Sequence, residues 1–186
     1  MSEDVRVICV DLDGTLIQED VSVDSVHRFA RGGLKNLIKI CSWFLKGGVP
    51  YTKYKIAEKM PYPYDLLHFN IPLISYLKEK KSAGYRIFLA TGSTEIYAKG
   101  IAEQLEIFDG VYASDLDVNL IADAKADKLS KVFGEKRFLY VGNSIDDILV
   151  WREAANPAIV VNPEDGVLKR LKSANLSYEL FPGEFL

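Results

Sequence analysis

Four short segments of the chain carry residue types that could do chemistry together. Asp11-Leu12-Asp13-Gly14-Thr15 places two carboxylates two residues apart at the end of an apolar run. Residues i and i+2 of an extended segment point the same way, so both acids can face one ligand. Converging acids repel and call for a cation, and their hard oxygen atoms suit Mg²⁺. A carboxylate beside such an ion can attack phosphorus and form an aspartyl-phosphate. The second can protonate the leaving alkoxide and then take a proton from the attacking water. Read alone, the segment is equally an acidic turn after a strand.

Thr91-Gly92-Ser93 offers hydroxyls and backbone N–H groups at an expected helix start, suited to phosphoryl oxygens. A Thr or Ser there is equally a helix N-cap. Lys125 sits in an alanine-rich helical stretch, where most lysines are solvated. Gly142-Asn143-Ser144-Ile145-Asp146-Asp147 brings oxygen ligands to the end of a further strand. His27 and His68 are the two histidines and neither lies near a Cys pair, so zinc is not expected. Trp43, Tyr51, Tyr54, Tyr62 and Tyr64 interleave with lysines, but no nucleic-acid module accompanies them, and no nucleic-acid partner is expected.

The elements that must position these groups read as an α/β chain. Apolar runs at 5–10, 86–90, 138–141 and 158–161 have the profile of buried strands. Helical stretches at 71–81, 94–105, 124–133, 146–155 and 167–173 alternate with them. This alternation predicts βαβ units: a Rossmann-like parallel sheet with helices on both faces. Ligands of such sheets gather at the carboxyl ends of the strands, where Asp11, Thr91 and Gly142 stand. With 186 residues, 48% hydrophobic and 26% charged, the chain is ordinary globular material, and disordered and collagenous classes are excluded.

Taken in order, the Asp-x-Asp-Gly-Thr after the first strand, the later Thr91, the helical Lys125 and the Gly142–Asp147 loop resemble the haloacid dehalogenase (HAD) superfamily. The resemblance runs over about residues 5–161. It implies a HAD-like core and a Mg²⁺-dependent phosphomonoester hydrolase. In that scheme Asp11 is the nucleophile, Asp13 the acid/base, Thr91 and Lys125 the phosphoryl-oxygen partners with Gly92 and Ser93, and Asp11, Asp13, Asn143 and Asp147 the metal-side groups. Asn143 stands where many relatives carry Asp, which removes one negative charge from the metal side. Asp13 fits phosphatases and phosphomutases, whose leaving group needs a proton, and argues against dehalogenation. Stretches such as Leu89–Ser93, Phe108–Asp115 and Tyr140–Ser144 resemble most the HAD domain found alone or fused ahead of UbiA-like prenyltransferases. That implies a phosphorylated sugar or prenyl intermediate as substrate. A phosphomutase, or a catalytically weak partner module of a membrane prenyltransferase pathway, remains the alternative.

Residues 1–15 and 71–186 are expected to form the core, with 16–70 as a small helical cap insert. The formal charge of −3 hides a basic segment at 27–59 that carries +7. Within it Leu34, Leu37, Ile38, Cys41, Phe44 and Leu45 recur at helical spacing before Gly47-Gly48 and Pro50 break the pattern. Two readings of this stripe stand: core of the cap with solvated lysines, or a surface for an anionic, partly apolar substrate or membrane. Cys9 and Cys41 read as small buried hydrophobes in a reducing compartment. The acidic start Met1-Ser2-Glu3-Asp4 lacks signal-peptide character, and no apolar run approaches the ~18 residues of a membrane span, so a cytoplasmic domain is expected.

Overall fold

The structure, a computed structural model, describes residues 5–186; the acidic start at 1–4 lies outside the described residues. Six strands form one sheet: β1 (Val7–Val10), β2 (Arg86–Thr94), β3 (Gly110–Ser114), β4 (Leu139–Gly142), β5 (Ala158–Val161) and β6 (Tyr178–Phe181). Their order is β3-β2-β1-β4-β5-β6, and every neighbouring pair is parallel. The chain therefore leaves β1 for β2 on one side and later returns to β4 on the other. This is the strand-order reversal at which open α/β sheets bind ligands.

Side chains alternate across the sheet and build two cores. Ile8, Val10 and Leu89 pack on one face with Leu73 and Leu77 of α3 (Ile71–Ser82) and Tyr97 and Ile101 of α4 (Glu95–Leu105). Cys9, Phe88 and Tyr140 pack on the other with Leu129 of α5 (Ala122–Phe133) and Trp151 of α6 (Asp147–Glu153). The Trp151 indole N–H donates to the Tyr140 carbonyl at 3.0 Å, tying α6 to β4 without leaving a buried donor unpaired. A last helix, Val167–Ser173, leads to the edge strand β6.

Between β1 and α3 the chain is helical. The helix α1 (Val21–Ala30) packs on α2 (Leu34–Lys59), which reaches α4 and β2. The expected break is present: α2 leaves helical geometry at Gly47 and Gly48, Gly48 at φ +69°, and Pro50 opens the second half. Two expectations are corrected here. Cys9 is buried, but Cys41 is exposed on α2. The 34–45 stripe is not cap core, because its apolar side chains face solvent. Asn36 and Trp43 hold the opposite side of the helix to α1, through the Asn36 amide donating to the Phe29 carbonyl (2.9 Å) and the Phe29–Trp43 ring contact (5.4 Å).

Candidate active site

Register decides what meets at the sheet edge. Val10 pairs with Leu89 and Val141, so Asp11 stands level with Ala90 and Gly142, its N–H bonded to the Val141 carbonyl at 2.9 Å. Just past this level the chain turns at Gly14 (φ +72°), where a Cβ would lie 2.4 Å from the Asn143 amide nitrogen. Only glycine allows both the turn and that approach. Asp11, Asp13, Gly92, Ser93, Lys125 and Asn143 then line one cavity of about 200 Å³.

Lys125 is 5% exposed, not the solvated lysine its helix suggests. Its Nζ donates to Asp11 Oδ1 (2.8 Å), the Tyr140 hydroxyl (2.8 Å) and Asp147 Oδ1 (3.2 Å), while that hydroxyl donates to Asp147 Oδ1 (2.7 Å). Asp147 Oδ2 accepts from the Asn143 and Ser144 N–H groups and the Ser144 hydroxyl, each at 3.0 Å. Both oxygens of this fully buried carboxylate are thus taken by protein donors. The expected role of Asp147 as a metal ligand gives way to a positioning one: it holds Lys125 and the 142–144 loop. Burial works to raise its pKa, but Lys125, the Ser144 and Asn143 amides and Tyr140 together hold it below its usual value. Burial likewise disfavours the Lys125 charge, and Asp11 and Asp147 overcome it and raise the lysine.

Asp13 is anchored at three points. Its Oδ1 accepts from Val21 N–H (2.8 Å) at the positive end of α1. Its Oδ2 accepts from the Ser93 hydroxyl (2.7 Å) and the Thr91 hydroxyl (3.2 Å). The Ser93 hydroxyl, with its one proton on Asp13, accepts from Ser22 at 2.9 Å. Burial raises both carboxyls, Asp11 to about 7 against the pull of Lys125 and Asp13 to about 6 with Asp20 adding to the rise. The helix expected over 94–105 is present, but Thr91–Ser93 precede it on the strand rather than forming its N-terminus. β2 runs on to Thr94 and α4 begins at Glu95. Thr91 is fully buried, its hydroxyl spent on Asp13 and on the Ser93 N–H (2.9 Å).

Mg²⁺ is the group this site type implies. Asp11 Oδ2 has no protein hydrogen bond among the described residues, and the Asn143 amide, held by the Thr15 hydroxyl at 3.2 Å, lines the same cavity. Two desolvated carboxyls with raised pKa values and a set of hard oxygen donors fit a small divalent cation. The residues that would hold it are Asp11 and Asn143; Asp13, expected beside them, lines the same cavity, but both its oxygens already accept from protein donors.

Several lining residues were not legible in the sequence. Lys53, from the second half of α2, reaches the Gly92 carbonyl (2.9 Å) and Asn119 Oδ1 (3.1 Å). Burial lowers its pKa, opposed by Asp13 and Asp20. Its only sequence signal was the basic run. Ser22, Asp20 and Asp146 also line the cavity, and Tyr140 stands behind it.

No protein-family model matches the chain. A curated relative, the uncharacterized protein y4nM of Sinorhizobium fredii, is 32% identical over 162 residues, which are 87% of this chain. The chain spans 30% of that relative's length. Among solved structures, a HAD family hydrolase of Salmonella enterica matches with a TM-score of 0.67 at 14% identity, covering 95% of this chain and 67% of that one. A phosphoserine phosphatase in its apo form matches at 0.62 and 21%, covering 90% of each chain. A phospho-aspartyl intermediate analogue of phosphoserine phosphatase matches at 0.62 and 21%, covering 90% of this chain and 91% of that one. With its parallel sheet and the Asp11–Lys125–Asp147 cluster at the carboxyl end of β1, this chain has the fold of the HAD-like hydrolases.

Proposed function

We propose that the chain is a Mg²⁺-dependent phosphomonoester hydrolase working through a phosphorylated Asp11. The observation that carries this reading is the state of Asp11: one oxygen paired with buried Lys125, the other free of protein hydrogen bonds in a cavity shared with Asp13 and Asn143. Lys125 orients the carboxylate for in-line attack on phosphorus and balances charge on the phosphoryl oxygens. Lys53 adds a second cation from α2. Bound Mg²⁺ supplies further neutralisation of the phosphoryl oxygens. Asp13, fixed by Val21, Thr91 and Ser93, hands a proton to the leaving oxygen and then takes one from water.

The substrate class we favour is a phosphate joined to an apolar group, of which a prenyl-linked phosphate is one form. A second cavity of about 310 Å³, walled by Val23, Val26, Ile40, Phe44 and Val49, shares Ser22 and Lys53 with the catalytic one. The same groove is what favours a place beside a prenyltransferase. The test is a phosphatase screen with Mg²⁺ over sugar, nucleotide and alkyl or prenyl phosphates. Each added methylene should raise kcat/KM by up to about fourfold while it is buried, from ~0.8 kcal/mol per methylene. A flat response to chain length overturns the substrate class, and no hydrolysis of any ester overturns the phosphatase.

Two substitutions follow from the site. Asp13→Asn should slow alkyl phosphates far more than aryl phosphates, whose leaving group needs little protonation. Equal losses in a steady-state comparison would remove Asp13 from proton transfer. Asn143→Asp adds a charge beside Asp11, so calorimetry should show Mg²⁺ binding tighter by about tenfold. Without Mg²⁺ the same variant should melt lower, because one more acid then faces a cavity already lined by Asp11, Asp13, Asp20, Asp146 and Glu164. An unchanged affinity would place Asn143 outside the ion's reach.

A further inference from the structure

The first half of α2 presents an apolar face that nothing in the structure covers. Leu34 is 73% exposed, Ile38 61%, Leu45 86%, Phe44 55% and Leu37 45%. At 100° per residue, these side chains and Cys41 fall within an arc of about 120°. Lys35, Lys39 and Lys46 follow along one flank of the arc, and none makes an ion pair among the described residues. No Asp or Glu occurs between Asp24 and Glu58. The contacts of Asn36 and Trp43 with Phe29 fix the roll of the helix, so the apolar arc is held outward rather than free to turn in.

We propose that this face docks the protein on an anionic lipid surface. An apolar strip flanked by lysines is the pattern of a helix lying in the membrane interface, its apolar side chains at the headgroup–acyl boundary and its cations on lipid phosphates. Charge decides among occupants. A purely apolar partner face would leave three lysines at its rim unmatched, whereas anionic headgroups meet the strip and the cations at once. The helix lies in the plane of the surface, and no helix among the described residues is long and apolar enough to cross a membrane. The inference stands on α2 alone and does not depend on the phosphatase reading.

The experiment is co-sedimentation of the 186-residue chain with vesicles of equal parts phosphatidylcholine and phosphatidylglycerol, against phosphatidylcholine alone, at low and physiological salt. Two triple variants accompany it: Lys35→Gln with Lys39→Gln and Lys46→Gln, and Leu34→Ser with Ile38→Ser and Leu45→Ser. Leu34, Ile38 and Leu45 are each more than half exposed, and the three lysines are exposed, so both variants should fold, as circular dichroism will verify. Binding to the anionic vesicles should weaken with salt and fall by up to about 100-fold in the lysine variant, at roughly 1 kcal/mol per basic residue. It should fall again in the serine variant. No binding to anionic vesicles overturns the proposal, as does equal binding to both vesicle types. A loss confined to the lysine variant reduces it to surface adsorption and overturns insertion of the apolar strip. A wild-type dimer in light scattering that the serine variant abolishes assigns the face to a second copy instead.

Discussion

Asp11→Asn is expected to lower turnover by at least about 10³-fold, the scale on which an enzyme loses its nucleophile. The amide keeps the acceptor that Lys125 bonds at 2.8 Å, so the geometry survives while the attacking oxygen loses its charge. Stability should not suffer. Burial raises the Asp11 carboxyl to about 7, which means that the folded state disfavours its charged form. A neutral amide relieves that cost, and the variant should melt at or above the wild-type temperature in calorimetry. Lost activity with a raised melting point marks a residue strained for function. A variant that turns over normally would remove Asp11 from the chemistry, and one that loses activity only by unfolding would make it structural.

Lys125→Met should give the largest loss of stability in the chain. It leaves Asp147 charged, fully buried and without its cation, a change that typically costs about 3–5 kcal/mol. At roughly 2–4 °C per kcal/mol for a chain of this size, the melting temperature should fall by about 10 °C. Adding Asp147→Asn should recover part of it, since the two side chains are in contact. Asp147 is held below its usual pKa, so its contribution is present above pH ~4, the usual carboxyl value, and is lost as the pH falls through the lowered one. A melting point within a degree of wild type would return Lys125 to the solvated helix face that its sequence context suggests.

What was legible in the sequence followed from local signals. An apolar β-branched run ending in two acids shows β1 and the Asp11–Asp13 pair directly, because period and polarity change within a few residues. Gly47-Gly48 and Pro50 mark the break in α2 for the same reason. The helix α1 escaped notice because Ser22 and Ser25, small and polar, are among its buried residues, so its inner face does not read as apolar. The strands β3 and β6 escaped because they are only partly buried, β6 lying at the sheet edge. Residues 34–45 have the period of a core helix, and the pattern alone does not say whether its apolar face turns inward. The Trp43–Phe29 contact settles that, and it is tertiary.

The site divides in the same way. Asp11, Asp13 and Asn143 sit at strand ends and could be found from where the strands stop. Lys125 meets Asp11 across 114 positions and Lys53 meets Gly92 across 39, distances at which composition carries no signal. Motif order supplied Lys125, and Lys53 was one lysine of a basic run that did not single it out. Asp147 was placed on the metal because a carboxylate in that loop looks like a ligand. Tyr140, two residues before the loop, supplies the buried hydroxyl that bonds it beside Lys125 instead.

The central claim is that Asp11 becomes phosphorylated during turnover. It is tested most directly by acid-quenching the protein during steady hydrolysis of an aryl phosphate with Mg²⁺ and mapping the phosphoryl group by peptide mass spectrometry. The account predicts one acid-stable, base-labile acyl phosphate on the peptide that contains residues 11–13, located at Asp11 and absent from Asp11→Asn. Steady hydrolysis with no phosphorylated peptide under rapid quench, or a phosphoryl group carried on any other residue, would contradict it.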